Sequence, residues 1–567
     1  MPALLLGPLL RHVTPTSATV WVETDAPAGV EVAAAPHSAA ARTVRVAGHH
    51  YALVVLTGLE PGTATRYEVR LDGVAVWPPQ DPDGGDVLPP SLIRTPSAGN
   101  AVRVVAGSCR RPEPRPEGGE PDGLDALAGR LARTDPAQWP DLLLLLGDQV
   151  YADEVSEPTR RRIDARRATV PGPVGQVADF EEYTWLYAES WAGRRVRWLL
   201  STVPSAMIFD DHDVHDDWNT SGAWRATMRA TSWWPERISG ALASYWVYQH
   251  LGNMSPAELD GDPTWQALLA LPDGADGGPA LRELAVRADA ESDGGKGYRW
   301  SFARDLGRVR VVVVDSRCGR ILDGETPGER SMISAADTAW LEQALEGDYD
   351  HLLLGTSLPW LLAPALHDVE AWDERLAADA RPRVARFGER LRQGADLEHW
   401  AAFRASFDGL AALLRAVAVG GHGRPAPASV AVLSGDVHHS YVARARWPGA
   451  PVFQVTCSPL NNAVPVPVRW AFRLAWSRTA ERTARLVLGR LLPGGLPEVP
   501  APVLRWDRLA GPFFGNAVAA LRYDGRRAAL TLETAVGSRG DTRVVAVLDL
   551  CAPGDRPGGA AAGTCAS

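Results

Sequence analysis

Three apolar runs in this chain stop on acidic residues, and that pattern restricts the fold more than any other. They are Asp141-Leu142-Leu143-Leu144-Leu145-Leu146-Gly147-Asp148-Gln149-Val150-Tyr151, Ala206-Met207-Ile208-Phe209 running into Asp210, and Ser429-Val430-Ala431-Val432-Leu433-Ser434-Gly435-Asp436-Val437-His438-His439. A short continuous apolar run bounded by glycine reads as a strand buried on both faces of a sheet, and the glycine lets the backbone turn sharply. The carboxylates therefore sit at strand ends. A fourth run, Val102-Arg103-Val104-Val105-Ala106-Gly107-Ser108-Cys109, delivers a thiol in the same way. Ligands of open α/β sheets bind in crevices outside the carboxyl ends of the strands, so four such ends can supply one site.

The acids after Phe209 point to what that site holds. Asp210-Asp211-His212-Asp213-Val214-His215-Asp216-Asp217 crowds five aspartates and two histidines into eight residues. Carboxylates this close repel one another strongly in a low dielectric, and a fold tolerates them mainly around a cation.

With 567 residues the chain is too long for one ordinary core, and two domains are expected. The net charge of −10 argues against nucleic acid as the main partner, because phosphate-backbone binding needs a basic face. Five scattered cysteines make no disulfide framework and suit a reducing compartment. The first ten residues have no basic residue before Arg11, so they lack the charged region of a secretory signal. No apolar run reaches the length of a membrane span. A cytoplasmic protein is expected.

Residues 1–97 read as all-β: Ser17-Ala18-Thr19-Val20-Trp21-Val22-Glu23 alternates with period two, and a Pro-Gly turn at 61–62 precedes Tyr67-Glu68-Val69-Arg70-Leu71. This turn and strand resemble a fibronectin type III or immunoglobulin-like sandwich. Residues 78–96, rich in Pro, Gly and Asp, read as a linker. From 98 to 550, apolar strands alternate with helical stretches such as 184–200 and 399–419, the mark of an α/β domain. Segments 519–523, 528–534 and 544–550 read as strands that close a sheet, and 551–567 as a frayed tail. In 469–490, Arg469, Arg473, Arg478, Arg482 and Arg485 recur opposite Phe472, Trp476 and Leu486. A packed helix with a solvated basic face is the first expectation, with contact to an anionic membrane surface behind it.

Gly107-Ser108-Cys109, Gly147-Asp148-Gln149-Val150-Tyr151, Asp210-Asp211-His212-Asp213 and Ser434-Gly435-Asp436-Val437-His438, in this order behind a β-sandwich, resemble the PhoD-like (alkaline phosphatase D) branch of the calcineurin-like metallophosphoesterases. The resemblance implies a four-layer α/β/β/α domain and phosphomonoester or phosphodiester hydrolysis of a small molecule by a two-metal-activated hydroxide. Asp148 would bridge the metals. One cation would take Cys109, Tyr151 and His438; thiolate and phenolate donors suit Fe³⁺. The other would take Asp436 and an oxygen from Asp211 or Asp216, a shell suited to Ca²⁺. Zn, Mn and Mg are the alternatives. The sequence departs from the family where an asparagine is usual, placing Asp211, Asp216 and Asp217 there, and the choice between Asp211 and Asp216 stays open. His212 resembles the family histidine that stabilises the transition state or protonates the leaving alkoxide. Arg317, after the strand at 309–315, is a candidate phosphate clamp, set against a plain ion pair with Asp315 or the acidic block. Two other functions compete: an idle metal-binding adaptor, and a hydrolase of a phospholipid head group.

Overall fold

The computed structural model describes residues 1–79, 88–112, 120–295, 297–322, 330–421, 425–462, 464–488, 496–537 and 540–551. The N-terminal part is β-rich and built from two four-stranded antiparallel sheets. One has the order Leu4–Val13, Ser17–Thr24, His49–Thr57, Val44–Val46, and the other His37–Arg42, Gly29–Ala34, Glu68–Leu71, Val74–Trp77. Val20, Val22, Val54 and Leu56 of the first share a core with Val30, Val32, Val69 and Leu71 of the second.

Period-two alternation in Ser17–Thr24 suggests one wet face, yet all eight of its residues are buried. The outer face is covered by the rest of the chain. Trp21 packs 5.3 Å from Tyr248, and the Tyr248 hydroxyl donates to Glu23 Oε2 at 3.0 Å. His49 joins the same contact, its Nε2 2.8 Å from Glu181 and its Nδ1 3.2 Å from Glu23. Burial opposes its protonation, but the two carboxylates outweigh burial and raise its pKa to about 9. Part of the expected linker is also structured, since Leu92–Arg94 pairs antiparallel with Ala64–Arg66. Residues 80–87 of that segment lie outside the described residues.

Two further sheets hold the runs that end on ligands. A six-stranded sheet has the order Ser205–Ile208, Leu142–Leu146, Val102–Gly107, Ala517–Asp524, Arg527–Val536, Asp541–Asp549, the first three parallel. A seven-stranded sheet runs Phe302–Leu306, Val309–Val314, His351–Thr356, Ser429–Ser434, Val452–Thr456, Ser440–Ala445, Trp506–Phe513. All five residues of Leu142–Leu146 are buried, as a strand covered on both faces requires. Leu144 and Leu146 share one core with Leu353 and Leu433 of the other sheet. The sheets come close at Gly355, where a Cβ would lie 3.0 Å from Leu146 Cδ2. At Gly435 there is no room for any side chain, because a Cβ would meet Ser108 Oγ at 1.9 Å. The ends of the Val102–Gly107 and Ser429–Ser434 strands therefore meet, and Cys109 and Asp436 meet with them.

The helix expected over 184–200 is two helices, Phe180–Trp191 and Arg194–Thr202, divided at Gly193, whose extended backbone caps the second. Cys551, placed by the sequence in a frayed tail, is buried, and its sulfur accepts from the Ala528 N–H at 2.8 Å. Residues 552–567 lie outside the described residues. The basic segment forms Val466–Ala475 and Arg478–Leu486, broken where the Ser477 side chain caps the second helix; its last residues, 489–490, lie outside the described residues. Among the described residues no helix is long and apolar enough to cross a membrane.

Candidate metal centre

The turns after the strands are tight, and the backbone shows it. Nine non-glycine residues among those described have positive φ, and seven of them lie at this centre: Cys109, Asp148, Asp217, Asn219, Asp396, Asp436 and His438. Side chains rarely adopt this region, and such strain clusters where a site must hold its groups in place. Asp213 organises two of the turns. Its Oδ2 accepts from the backbone N–H groups of Asp148 and Asp210, each at 2.9 Å, and its Oδ1 from Gln249 Nε2 at 3.2 Å.

Ligand atoms of Cys109, Asp148 and His438 lie within 4.8 Å of one another, although the residues come from three strand ends in two sheets. Asp148, Asp210 and Asp211 form a second such group, Asp211, Glu398 and Asp436 a third, and Asp211, His212 and Asp216 a fourth. Tyr151 is buried beside the first group, its hydroxyl donating to Asp148 Oδ2 at 3.4 Å and accepting from Asn462 Nδ2 at 3.2 Å. The donors near Cys109 are thus sulfur, imidazole, phenol and carboxylate; Asp211 shares two groups made of carboxylates alone, with Asp148 and Asp210 and with Glu398 and Asp436, and a third that includes the His212 imidazole. Asp148 belongs to both neighbourhoods.

Electrostatics make the same demand for positive charge. Burial, then the neighbouring Asp211 and Asp210, push the Asp148 pKa well above the usual carboxylate range. Burial, then Asp148 and Asp436, raise the Cys109 thiol. Burial, helped by His212 and opposed by Asp436, lowers His438 to about 4, so its imidazole is neutral and ready to ligate. Oδ1 of Asp148 and Oδ2 of Asp210 are buried without a hydrogen-bond donor among the described residues. Carboxylate oxygens in this state fit cations.

Arg317 is 0% exposed. Its Nε donates to Asp210 and its Nη1 to Glu398, while Nη2 stands 3.2 Å from Asp211 Oδ1 and 3.8 Å from Asp436 Oδ1. The guanidinium is spent on carboxylates. Its backbone N–H meets Asp315 Oδ1 at 2.8 Å. His212 lies at the rim with Nδ1 3.0 Å from Asp153 Oδ1 and its ring 4.6 Å from that of Tyr151. Burial opposes its protonation, but Asp153 and Asp211 hold its pKa well above the ordinary value.

Comparison with known proteins follows this geometry. A family described as PhoD-like phosphatase matches residues 121–262, and a domain family of unknown function, DUF7800, matches residues 1–93. The chain carries PhoD-like phosphatase homology. A solved structure titled "Structure of PhoD" superposes with a TM-score of 0.55 at 12% identity, covering 96% of this chain and 92% of that one. At that identity the likeness is one of fold. Comparison with curated proteins gives no match. Asp148, Tyr151, Asp211, His212 and Asp216 lie inside the PhoD-like segment; Cys109, Arg317, Asp436 and His438 lie outside it and join it only through the fold.

The sequence gives 396–399 no strand-end sign of a part in the centre. Glu398 balances Arg317, and His399 links Asp436 Oδ2 at 2.8 Å to Glu370 Oε1 at 2.7 Å, fixing the orientation of that aspartate. Asp396-Leu397-Glu398-His399 carries acids and a histidine together, the same signal as the block at 210–217, but no apolar strand precedes it. Asp153, which orients His212, follows the Leu142–Leu146 strand but lies past the turn that carries Asp148 and Tyr151.

Proposed function

We propose that the chain is a metal-dependent phosphoester hydrolase acting on a small phosphomonoester or phosphodiester. The observation that carries this is the convergence of Cys109, Asp148 and His438, drawn from three strand ends, beside the carboxylate group of Asp211, Glu398 and Asp436, within a chain that has PhoD-like homology. Metal-ligand clusters and that homology together support a metallophosphatase over an idle adaptor. On this reading residues 98–550 form a four-layer α/β/β/α catalytic domain, and residues 1–97 an immunoglobulin or fibronectin III-like sandwich.

Cys109, Asp148, Tyr151 and His438 would hold one cation, and their soft and phenolic donors favour Fe³⁺. Asp148, Asp211 and Asp436 would hold the other, with Ca²⁺ the best match to oxygen donors. Asp211 is favoured over Asp216 because Asp211 is buried and shares groups with both Asp148 and Asp436, whereas the Asp216 side chain is 60% exposed. Two bound cations lower the pKa of water and offset charge on the phosphoryl oxygens.

The residues do the rest. Asp153 fixes the His212 ring through Nδ1, leaving Nε2 at the rim, 3.8 Å from Asp216 Oδ1, to give a proton to the departing alkoxide. Arg317 reads better as the counter-charge that keeps Asp210, Asp211 and Glu398 in register than as a clamp on substrate. Replacing His212 by Ala should lower kcat at least about tenfold with metal content unchanged. Metal loss in that variant would make His212 a ligand; unchanged kcat would remove its role.

A further inference from the structure

Helix Val466–Ala475 has a composition that belongs in a core and a placement that denies it one. Neither it nor Arg478–Leu486 contains a single fully buried residue. Seventeen large apolar residues are exposed among those described; five fall between 466 and 486, namely Val466, Val468, Trp470, Leu474 and Leu486. Trp470, 67% exposed, is the one tryptophan among the seventeen. Val466, Trp470 and Leu474 recur at every fourth position, so they form one stripe along the helix. The opposite side is anchored: Phe472 stacks on His439 at 4.4 Å, and Trp476 meets Tyr441 edge-on at 4.8 Å.

Charge says what the stripe faces. Arg469 and Arg473 flank it, and the next helix adds Arg478 and Arg482 against Glu481, while Arg485 is spent on the buried Asp368. Arg473 lies over the Trp470 ring at 5.2 Å and the Phe514 ring at 4.9 Å, against a whole-chain net charge of −10. An exposed Trp and aliphatic stripe edged by arginines is the layout of a helix that lies in a lipid interface, with rings at head-group depth and guanidinium groups reaching anionic phosphates. A polar macromolecular partner would not need the tryptophan outward.

Position adds a third observation. Phe472 rests on His439, the neighbour of the candidate ligand His438, and the helix begins four residues after Asn462, which bonds Tyr151. The helix that carries the stripe therefore packs beside the metal centre, with the stripe on its other side.

We infer that 464–488 is an interfacial docking surface for an anionic phospholipid membrane. This goes beyond the hydrolytic reading and is tested without it. The full chain is sedimented with vesicles of phosphatidylcholine, with and without phosphatidylglycerol, and hydrolysis of a soluble aryl phosphoester is followed in parallel. The wild-type chain should pellet with the anionic vesicles only. W470S/L474S and R473E/R482E should each lower the bound fraction at least about tenfold while the soluble ester is turned over as before. Failure of the wild-type chain to bind anionic vesicles, or equal binding by both variants, would overturn the inference. So would a dimer that W470S/L474S dissociates, since it would assign the stripe to a second copy of the chain. Absence of ester hydrolysis with vesicle binding intact would count against the proposed activity alone.

Discussion

Asp148→Asn should abolish phosphoester hydrolysis, lowering kcat by about a thousandfold or more, and should leave the fold intact. Asp148 is the one residue that belongs both to the Cys109–His438 group and to the Asp210–Asp211 group. A carboxylate can bridge two cations and offset part of their mutual repulsion; a neutral amide of the same shape does this poorly. Stability should move the other way. The substitution removes a negative charge from a buried cluster whose members already repel, so the metal-free variant should unfold at a temperature no lower than that of metal-free wild type. Elemental analysis, steady-state kinetics and thermal unfolding on one preparation check all three points. Full activity with a full metal complement would remove Asp148 from the centre.

Arg317→Met should be among the most destabilising single substitutions in the protein, costing about 3–5 kcal/mol in metal-free chemical denaturation. The side chain is wholly buried, with carboxylates of Asp210, Asp211, Glu398 and Asp436 around it. Removing one partner of a buried pair leaves the other charges uncompensated, a larger effect than the net worth of the pair. Asp210 would feel the loss first, since its second oxygen already has no donor among the described residues. A cost below about 1 kcal/mol, the range of an exposed pair, would show that water or relaxation reaches the cluster and that Arg317 is free for another role.

Residues on strand ends were legible because two signals coincide there: an apolar run that must be buried and a polar residue immediately after it. Cys109, Asp148, Asp211 and Asp436 all carry this double mark, and the structure gathers them. Groups that arrive from elsewhere carry no such mark. Glu398 and His399 sit between helices, and nothing local in the sequence says that they fold back on Asp436 and Arg317. Burial of both faces of Ser17–Thr24 was hidden for another reason. Alternation reports what a strand offers, while Trp21 and Glu23 find partners in Tyr248, more than two hundred residues later. At 466–486 the sequence shows Phe472 and Trp476, which do pack, and gives no local sign that Trp470 and Leu474 stay exposed.

The central claim is that metals held by these strand ends carry out phosphoester hydrolysis. Metal content and hydrolysis of a phosphomonoester and a phosphodiester, measured on one purified sample before chelation, after it and after metals are returned, test this directly. The account predicts two metal equivalents per chain with iron as one of them, a visible absorption band that Cys109→Ala or Tyr151→Phe shifts or bleaches, and activity that disappears with the metals and returns with them. Full hydrolysis by metal-free protein, or a fully loaded centre that cleaves neither ester, would contradict it.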